Sequence, residues 1–293
     1  MWFMLALGTG ILTTGCETPL DWPANVVPRL TIISHLAPGS WEEQRVYVYA
    51  SKSPLDSTQF YSPYKLRVEV TEVESSTIIE LDSTREGNKA YFEFPEGFLK
   101  AGFSYSIKAS APGFEPVHAI TNIPQPSTIS GLSVKDVVIE PSDRNEFKKI
   151  VRYRLEFTIN PVEDNRYYHL VFYNKYDGSN NLYVIDPELS DHQPYIPHYA
   201  YGVLIDWEDL DPGSPLSFNF TDWVVENNDL RRVYVELRTI SEQYYKYHSS
   251  LARQLIIRQD PFAEPIPIFN NIDGGYGNFS GFSPYVSSSD LPE

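Results

Sequence analysis

Cysteine is almost absent from this chain, which has one, Cys16, in 293 residues. A single thiol cannot form an internal disulfide, so a fold held together by disulfides is excluded. The fold must therefore depend on a packed core, and the role of the lone thiol has to be sought in the residues around it.

Basic residues are also scarce: 23 Lys and Arg stand against 39 Asp and Glu, which gives a formal net charge of −16 at neutral pH. This negative field repels phosphate backbones, so nucleic acid is not an expected partner. It opposes charge-driven binding to anionic lipid surfaces in the same way. The simplest interpretation of the acidity is that it keeps the protein soluble.

Long hydrophobic runs are missing too. The longest apolar stretch near the start covers residues 2–12, whereas a helix needs about 20 apolar residues to span a bilayer. That length suits the hydrophobic region of a signal peptide. Gly15 and Cys16 follow it, as they do where a bacterial lipoprotein receives its lipid. The sequence therefore predicts that residues 1–15 are a lipoprotein signal peptide and that Cys16 carries a lipid that anchors the protein to a membrane.

Two features of this signal depart from the usual pattern. No basic residue precedes Arg29, and Thr13 occupies a position where Leu is commonest. A start codon upstream of Met1 or a loose variant of the signal accounts for them, and plain secretion or a buried cytosolic strand are the alternatives. Behind the anchor, residues 16–25 contain several Pro and are expected to form a short, extended tether.

Catalytic and cofactor motifs are the last notable absence. The glycines of residues 275–277 suggest a nucleotide-binding loop, but the third glycine of that fingerprint would fall on Ser280, and no strand–turn–helix unit surrounds it. A closing turn that needs positive φ angles and close backbone approach explains these glycines better. His192 and His198 could offer ligands to a divalent metal, yet their spacing matches no established site. We therefore expect no catalysis, no cofactor and no metal.

The residues that are abundant favour β-structure. The 21 Tyr and 16 Phe prefer pleated, half-buried surfaces, and the 23 Pro suit short connections better than long helices. Short alternating segments over residues 26–126 predict an antiparallel, immunoglobulin-like β-sandwich. A second β-rich domain is expected over residues 127–286, with residues 287–293 as a frayed tail. The predicted fold class is thus mainly β, with two sandwich-like domains.

One helix is predicted, over residues 241–259 of the second domain. Ser241 can cap its N-terminus because a serine hydroxyl accepts a hydrogen bond from a free backbone N–H of the first turn. A single stripe of the helix surface carries Tyr244, Tyr247, Leu251 and Leu255. We expect this stripe to pack on the second sandwich.

The best candidate for a binding site is the long aromatic connection between residues 186 and 210. Loops of this length are often functional, and Tyr and Trp supply rigid contact area for protein and sugar surfaces. The residues predicted to contact a ligand or partner are Tyr195, Tyr199, Tyr201 and Trp207. The alternative is that these rings roof the core of the second sandwich.

The end of the chain carries a recognisable signature. After the Tyr-rich helix come a Pro-Phe-x-Glu-Pro step and a glycine-rich segment, made of Pro261, Phe262, Glu264, Pro265, Asn271, Ile272, Gly274, Gly275, Gly277, Phe279 and Gly281. Together with Cys16-Glu17 and the early Pro28-Arg29-Leu30, this pattern resembles a Bacteroidota lipoprotein family known as domain of unknown function 4249. Tyr276 stands where an aliphatic residue is usual in that family.

The resemblance covers essentially the whole chain after the signal peptide. It implies an envelope lipoprotein, often encoded beside outer-membrane receptors of the TonB-dependent class, and it implies no known catalytic residues. We therefore expect a binding protein anchored by its lipid in the outer membrane, on a side that the sequence leaves open, and accessory to a TonB-dependent transporter. A surface structural or adhesive module is the alternative, and a hydrolase with a site assembled from loops is a further one.

Overall fold

The computed structural model describes residues 27–39, 44–53, 56–142, 148–162, 165–177, 179–190, 193–211, 213–225, 229–258 and 263–292. The predicted signal peptide, Cys16 and the tether lie outside these residues, as do His192 and the Pro261-Phe262 step. Within the described residues, no helix combines the length and the hydropathy that a membrane crossing needs.

The described chain is mainly β, as predicted. The first half contains β1 (Leu30–Leu36), β2 (Arg45–Ala50), β3 (Arg67–Glu72), β4 (Thr77–Glu80), β5 (Ser83–Glu86), β6 (Lys89–Glu93), β7 (Ser104–Ser110) and β8 (Val117–Asn122). The second half contains β9 (Thr128–Pro141), β10 (Lys148–Asn160), β11 (Tyr167–Tyr176), β12 (Tyr183–Ile185), β13 (Tyr195–Pro197), β14 (Val203–Asp206), a 3-10 helix (Trp207–Asp209), β15 (Leu216–Val225), β16 (Leu230–Ile240), α1 (Glu242–Ile257) and β17 (Tyr276–Asp290).

Each half has its own core between two sheets. In the first half the sheet β4-β3-β7-β8 faces β1, β2 and β6 across a core that includes Ile32 and Phe92. In the second half the sheet β15-β10-β9 faces β14, β11 and β16 across a core that includes Phe157 and Phe172. Buried and part-buried residues alternate along β1 and β2, so each strand turns one face to the core. The arrangement, with two facing sheets in each half, fits the predicted sandwich-like fold class.

Strand β17 joins the two halves. A ten-stranded sheet runs in the order β13-β14-β11-β16-β17-β1-β2-β6-β5, with β12 beside β11. In it, β17 pairs antiparallel with β16 and parallel with β1. Phe279 of β17 and Ile272 just before it pack into the first core. The sequence assigned this segment to the second domain alone, whereas the structure shares it between both cores; the domain boundaries themselves stay a prediction.

The end of the chain is more ordered than the sequence indicated. A frayed tail was expected from residue 287 on, but β17 continues to Asp290. The carboxylate of Asp290 accepts hydrogen bonds from Nε and Nη2 of Arg232 at 2.6 and 3.1 Å. The backbone N–H of Leu291 donates to the carbonyl of Arg231. The tail is held because β16 offers ladder partners that a Ser-rich sequence does not reveal.

Helix α1 begins as predicted, with the Ser241 hydroxyl accepting a hydrogen bond from the Tyr244 N–H at 3.3 Å. It lies on β17 and contacts β11 and β13, so it covers the junction of the two halves and not the second sandwich alone. Its buried residues are Tyr244, His248, Ser249 and Ala252. The predicted stripe is therefore wrong at its C-terminal end, where Leu255 is exposed, because the helix meets the sheet along the line of Tyr244 and His248.

Candidate functional site

The four predicted loop residues are divided between the two faces of the ten-stranded sheet. Tyr195 and Trp207 pack against the second core, with the ring centroid of Tyr195 at 4.9 Å from that of Phe218. Tyr199 and Tyr201 lie on the side that α1 covers. For Tyr195 and Trp207 the structure therefore matches the alternative that these rings roof the core. Tyr199, 49% exposed, is the most open of the four.

Beneath α1 the structure gathers four of the six histidines into what we call the histidine cluster: His35 on β1, His169 on β11, His198 after β13, and His248 on α1. The ring centroids of His169 and His198 are 4.4 Å apart. His248 lies 4.6 Å from His198 and 4.9 Å from His35. The sequence paired His198 with His192 instead, because members that come from four separate elements have no common spacing along the chain.

Hydrogen bonds determine the protonation of the rings in this cluster. The backbone N–H of Ala200 donates to Nδ1 of His198 at 3.2 Å, so that nitrogen carries no proton and Nε2 carries it. Nε2 of His198 then donates to Nδ1 of His248 at 2.9 Å. The remaining proton of His248 sits on Nε2, which is buried and has no partner among the described residues. The hydrogen-bonded chain thus ends on an unsatisfied buried donor.

His169 is oriented in the same manner. Its Nε2 lies 3.0 Å from the carbonyl oxygen of Tyr201, which can only accept, so Nε2 is the donor. Its Nδ1 therefore accepts from the hydroxyl of Tyr244 on α1 at 3.1 Å. His169 thus links three parts of the molecule: β11, the loop that follows β13, and the helix.

Three rings of the cluster, those of His169, His198 and His248, are uncharged at physiological pH. Burial, together with the nearby Arg238 and His35, lowers the pKa of His198 to about 3. Burial also holds the pKa values of His169 and His248 well below the ordinary value of 6.5. A charged imidazole here would lose its hydration and meet other cationic groups, so the site favours the uncharged rings.

A serine–histidine pair also lies in this region. The hydroxyl of Ser280 on β17 is 2.8 Å from Nδ1 of His35, a distance at which a base can activate a nucleophile. Ser280 is fully buried, however, and is paired with His35 itself in the ladder between β1 and β17. In this conformation no substrate reaches the hydroxyl, so the contact serves to hold β1 and β17 together.

Next to the cluster lies a buried ion pair. Nε of Arg238 donates to a carboxylate oxygen of Glu236 at 2.8 Å, and both side chains are almost completely buried. The hydroxyl of Tyr173 donates to the same carboxylate at 2.7 Å. The guanidinium also lies 4.8 Å from the ring centroid of Phe282 and 5.9 Å from that of Tyr201. Tyr201 therefore covers a satisfied charge pair, which is a structural role.

A more open candidate lies on the same face of the sheet, farther along β1, and we call it the aromatic groove. It is a cavity of about 540 Å³ lined by Thr31, Ile33, Tyr49, Gln59, Phe60 and Lys89. Ring centroids of Tyr49 and Phe60 are 6.4 Å apart with their planes at 59°. Tyr47 continues the aromatic surface, stacked at 6.3 Å from Tyr49. The sequence missed this site because its residues come from four separate segments; the signal available was the alternation of Tyr47 and Tyr49 in β2.

The glycine-rich signature has a structural explanation. A Cβ on Gly277 would lie 1.9 Å from the carbonyl oxygen of Ile32, and one on Gly275 would lie 2.4 Å from that of Leu30. The side chain of Asn271 accepts from the N–H of Phe279 at 3.0 Å and donates to its carbonyl at 2.7 Å. These residues let β17 lie against β1, as the closing-turn interpretation of the glycines anticipated.

Among the described residues, no three His, Cys, Asp or Glu side chains are placed so that they could hold a metal ion. The family model described as "Domain of unknown function (DUF4249)" matches residues 17–287. No curated protein matches the chain. The family match spans nearly the whole chain and includes most of β17, so this protein belongs to the DUF4249 family.

Proposed function

We propose that this protein is a binding protein of the cell envelope, held at the outer membrane by a lipid on Cys16, and that it is accessory to a TonB-dependent transporter. The observation that supports a binding role is the aromatic groove. Ligand sites are typically concave, mostly apolar, about 300–1,000 Å³ in volume, and furnished with a few polar groups. The groove has these properties and opens to solvent.

The predicted aromatic loop contributes Tyr199 to this proposal. Its ring lies parallel to that of His248, with an angle of 1° between the planes and 5.5 Å between the centroids. Half of its surface faces solvent. A rigidly supported, exposed tyrosine is a suitable contact for a protein partner, because little side-chain entropy is lost when it is buried.

The anchor is tested by replacing Cys16 with Ala in cells that express the full chain. We expect the variant to lose labelling by a fatty-acid probe and to move from the membrane to the soluble fraction, since no thiol remains to carry the lipid. Thr18→Ala, two residues away, is the matched control and should remain in the membrane. A Cys16→Ala variant that stays in the membrane would contradict the anchor.

The transporter is tested with the same cells. Affinity purification of the tagged chain from detergent-solubilised native membranes, followed by mass spectrometry, should recover an outer-membrane barrel of the TonB-dependent class. Recovery should fall for Cys16→Ala because the two proteins no longer share a membrane. If the lipidated protein brings down no such barrel, the accessory role is contradicted and the structural or adhesive module is favoured.

A further inference from the structure

The shape of the aromatic groove restricts what can bind in it. The ring planes of Tyr49 and Phe60 are inclined at 59° to each other, so the two rings form an apolar corner. Ile33 completes the apolar lining, and Phe60 keeps 59% of its surface exposed. A ligand in this corner must present flat apolar surface to two rings at once.

The edge of the groove carries three polar side chains, Thr31, Gln59 and Lys89. None of the three has a side-chain hydrogen bond or ion pair with another described residue. Tyr49 adds a phenol that stays protonated at physiological pH, because burial and the neighbouring Tyr47 raise its pKa. The groove therefore offers an apolar corner and free hydrogen-bonding groups on different chain segments around it.

We propose that the aromatic groove binds an acidic saccharide, a short oligosaccharide containing uronic acid. A sugar ring has apolar C–H faces for Tyr49 and Phe60 and hydroxyl groups around its edge for the polar side chains. An aromatic acid would match the corner but has one polar end, and it would leave most of the rim unused. The assignment rests on the proposed binding role and names the ligand class of the same groove.

Charge selects the acidic form of the sugar. Lys89 is the one charged residue in the lining, and no carboxylate faces the groove among the described lining residues. The ammonium group can pair with a uronic carboxylate. The net charge of −16 opposes polyanions, so a short ligand with few charges fits better than a long, densely charged polymer.

The ligand class is tested by calorimetric titration of the full chain, kept in mild detergent, with trigalacturonate. The matched neutral probe is the fully methyl-esterified trigalacturonate, which has the same rings and no negative charge. We expect the acid to bind about tenfold more tightly than the ester, the size of one charge-assisted contact. Equal affinity for the two probes, or binding of neither, would overturn the proposal.

Two variants locate the binding site. Phe60→Ala should weaken binding of both probes by about tenfold because one stacked ring is lost. Lys89→Gln should lower the affinity for the acid to the affinity for the ester, and it should leave the affinity for the ester unchanged. Both side chains are exposed, so thermal unfolding should be unaltered. Trp223→Ala and Lys108→Gln, exposed residues on other sheets, are the controls and should bind like the unchanged chain.

The failure of this proposal can be told apart from failure of the proposed function. If the chain still carries lipid and still brings down a barrel but binds no saccharide, the ligand class is overturned and the envelope role stays in place. Saccharide binding that resists Phe60→Ala overturns the groove as its location. Binding that is lost with Phe60→Ala but retained in the Cys16→Ala chain supports the groove independently of the anchor.

Discussion

Gly277 shows at the scale of one residue how the two halves are joined. Its φ is +114°, and a side chain there would collide with the backbone of Ile32 in β1. Alanine would have to adopt an unfavourable backbone conformation and also push β1 away. The sequence explained this glycine by backbone freedom and close backbone approach in a closing turn, but it did not identify the strand that approaches. That strand is β1, near the other end of the chain, and its approach depends on the pairing of β1 with β17.

We predict that Gly277→Ala lowers the free energy of unfolding by about 3 kcal/mol or more, because strain and steric collision add. The control is Gly113→Ala, where φ is +83° but nothing lies within 4 Å of the added Cβ; strain alone should cost about 1 kcal/mol. Urea unfolding followed by tryptophan fluorescence measures both. Equal losses in the two variants would mean that the β1–β17 contact is looser than described.

Helix α1 illustrates the scale of one element. The Ser241 hydroxyl accepts from the N–H of Tyr244 at 3.3 Å and from the N–H of Gly281 at 3.1 Å. The backbone N–H of Ser241 donates to the carbonyl of Gly281 at 2.9 Å. One side chain thus caps the helix and ties it to β17. The sequence predicted the cap, since capping is a local property, but not the second bond.

We predict that Ser241→Ala destabilises the protein by about 2 kcal/mol, since a cap is lost and the buried N–H of Gly281 loses its side-chain partner. Hydrogen exchange should show the amides of the first turn of α1 opening more often. Arg253→Ala, an exposed position in the same helix, should change stability by less than about 0.5 kcal/mol. A loss of stability no greater than that of Arg253→Ala would mean that the cap and the bond to β17 contribute little.

The histidine cluster acts at the scale of the whole molecule, because it lies where β1, β11, β17 and α1 meet. Three of its rings, those of His169, His198 and His248, have pKa values held below that of a histidine in the unfolded chain. Below about pH 6.5 the unfolded chain therefore binds protons that the folded chain does not, and stability falls as the pH falls towards the folded pKa values. Above that pH the full stability is present.

We predict that the free energy of unfolding falls by about 4 kcal/mol as the pH is lowered from 7.5 to 5.5, because each of the three histidines contributes about 1.4 kcal/mol. Urea unfolding at several pH values measures this slope. Carboxyl groups with lowered pKa values, such as Glu80 and Asp290, lose their stabilising effect only at lower pH and do not contribute in this window. Unchanged stability over the range would show that the cluster opens to water or takes up protons without unfolding.

The sequence alone determined what depends on neighbouring residues: the mainly β fold class, the cap at Ser241 and the need for glycines around the start of the last strand. Periodicity and capping act within a few residues, so they can be read directly. The tertiary structure decided that β17 joins both sandwiches, that four histidines meet under α1, and that the aromatic groove, not Tyr195 or Trp207, is the open aromatic surface. These features arise from strand order and register, which bring distant segments together through contacts that no local pattern encodes.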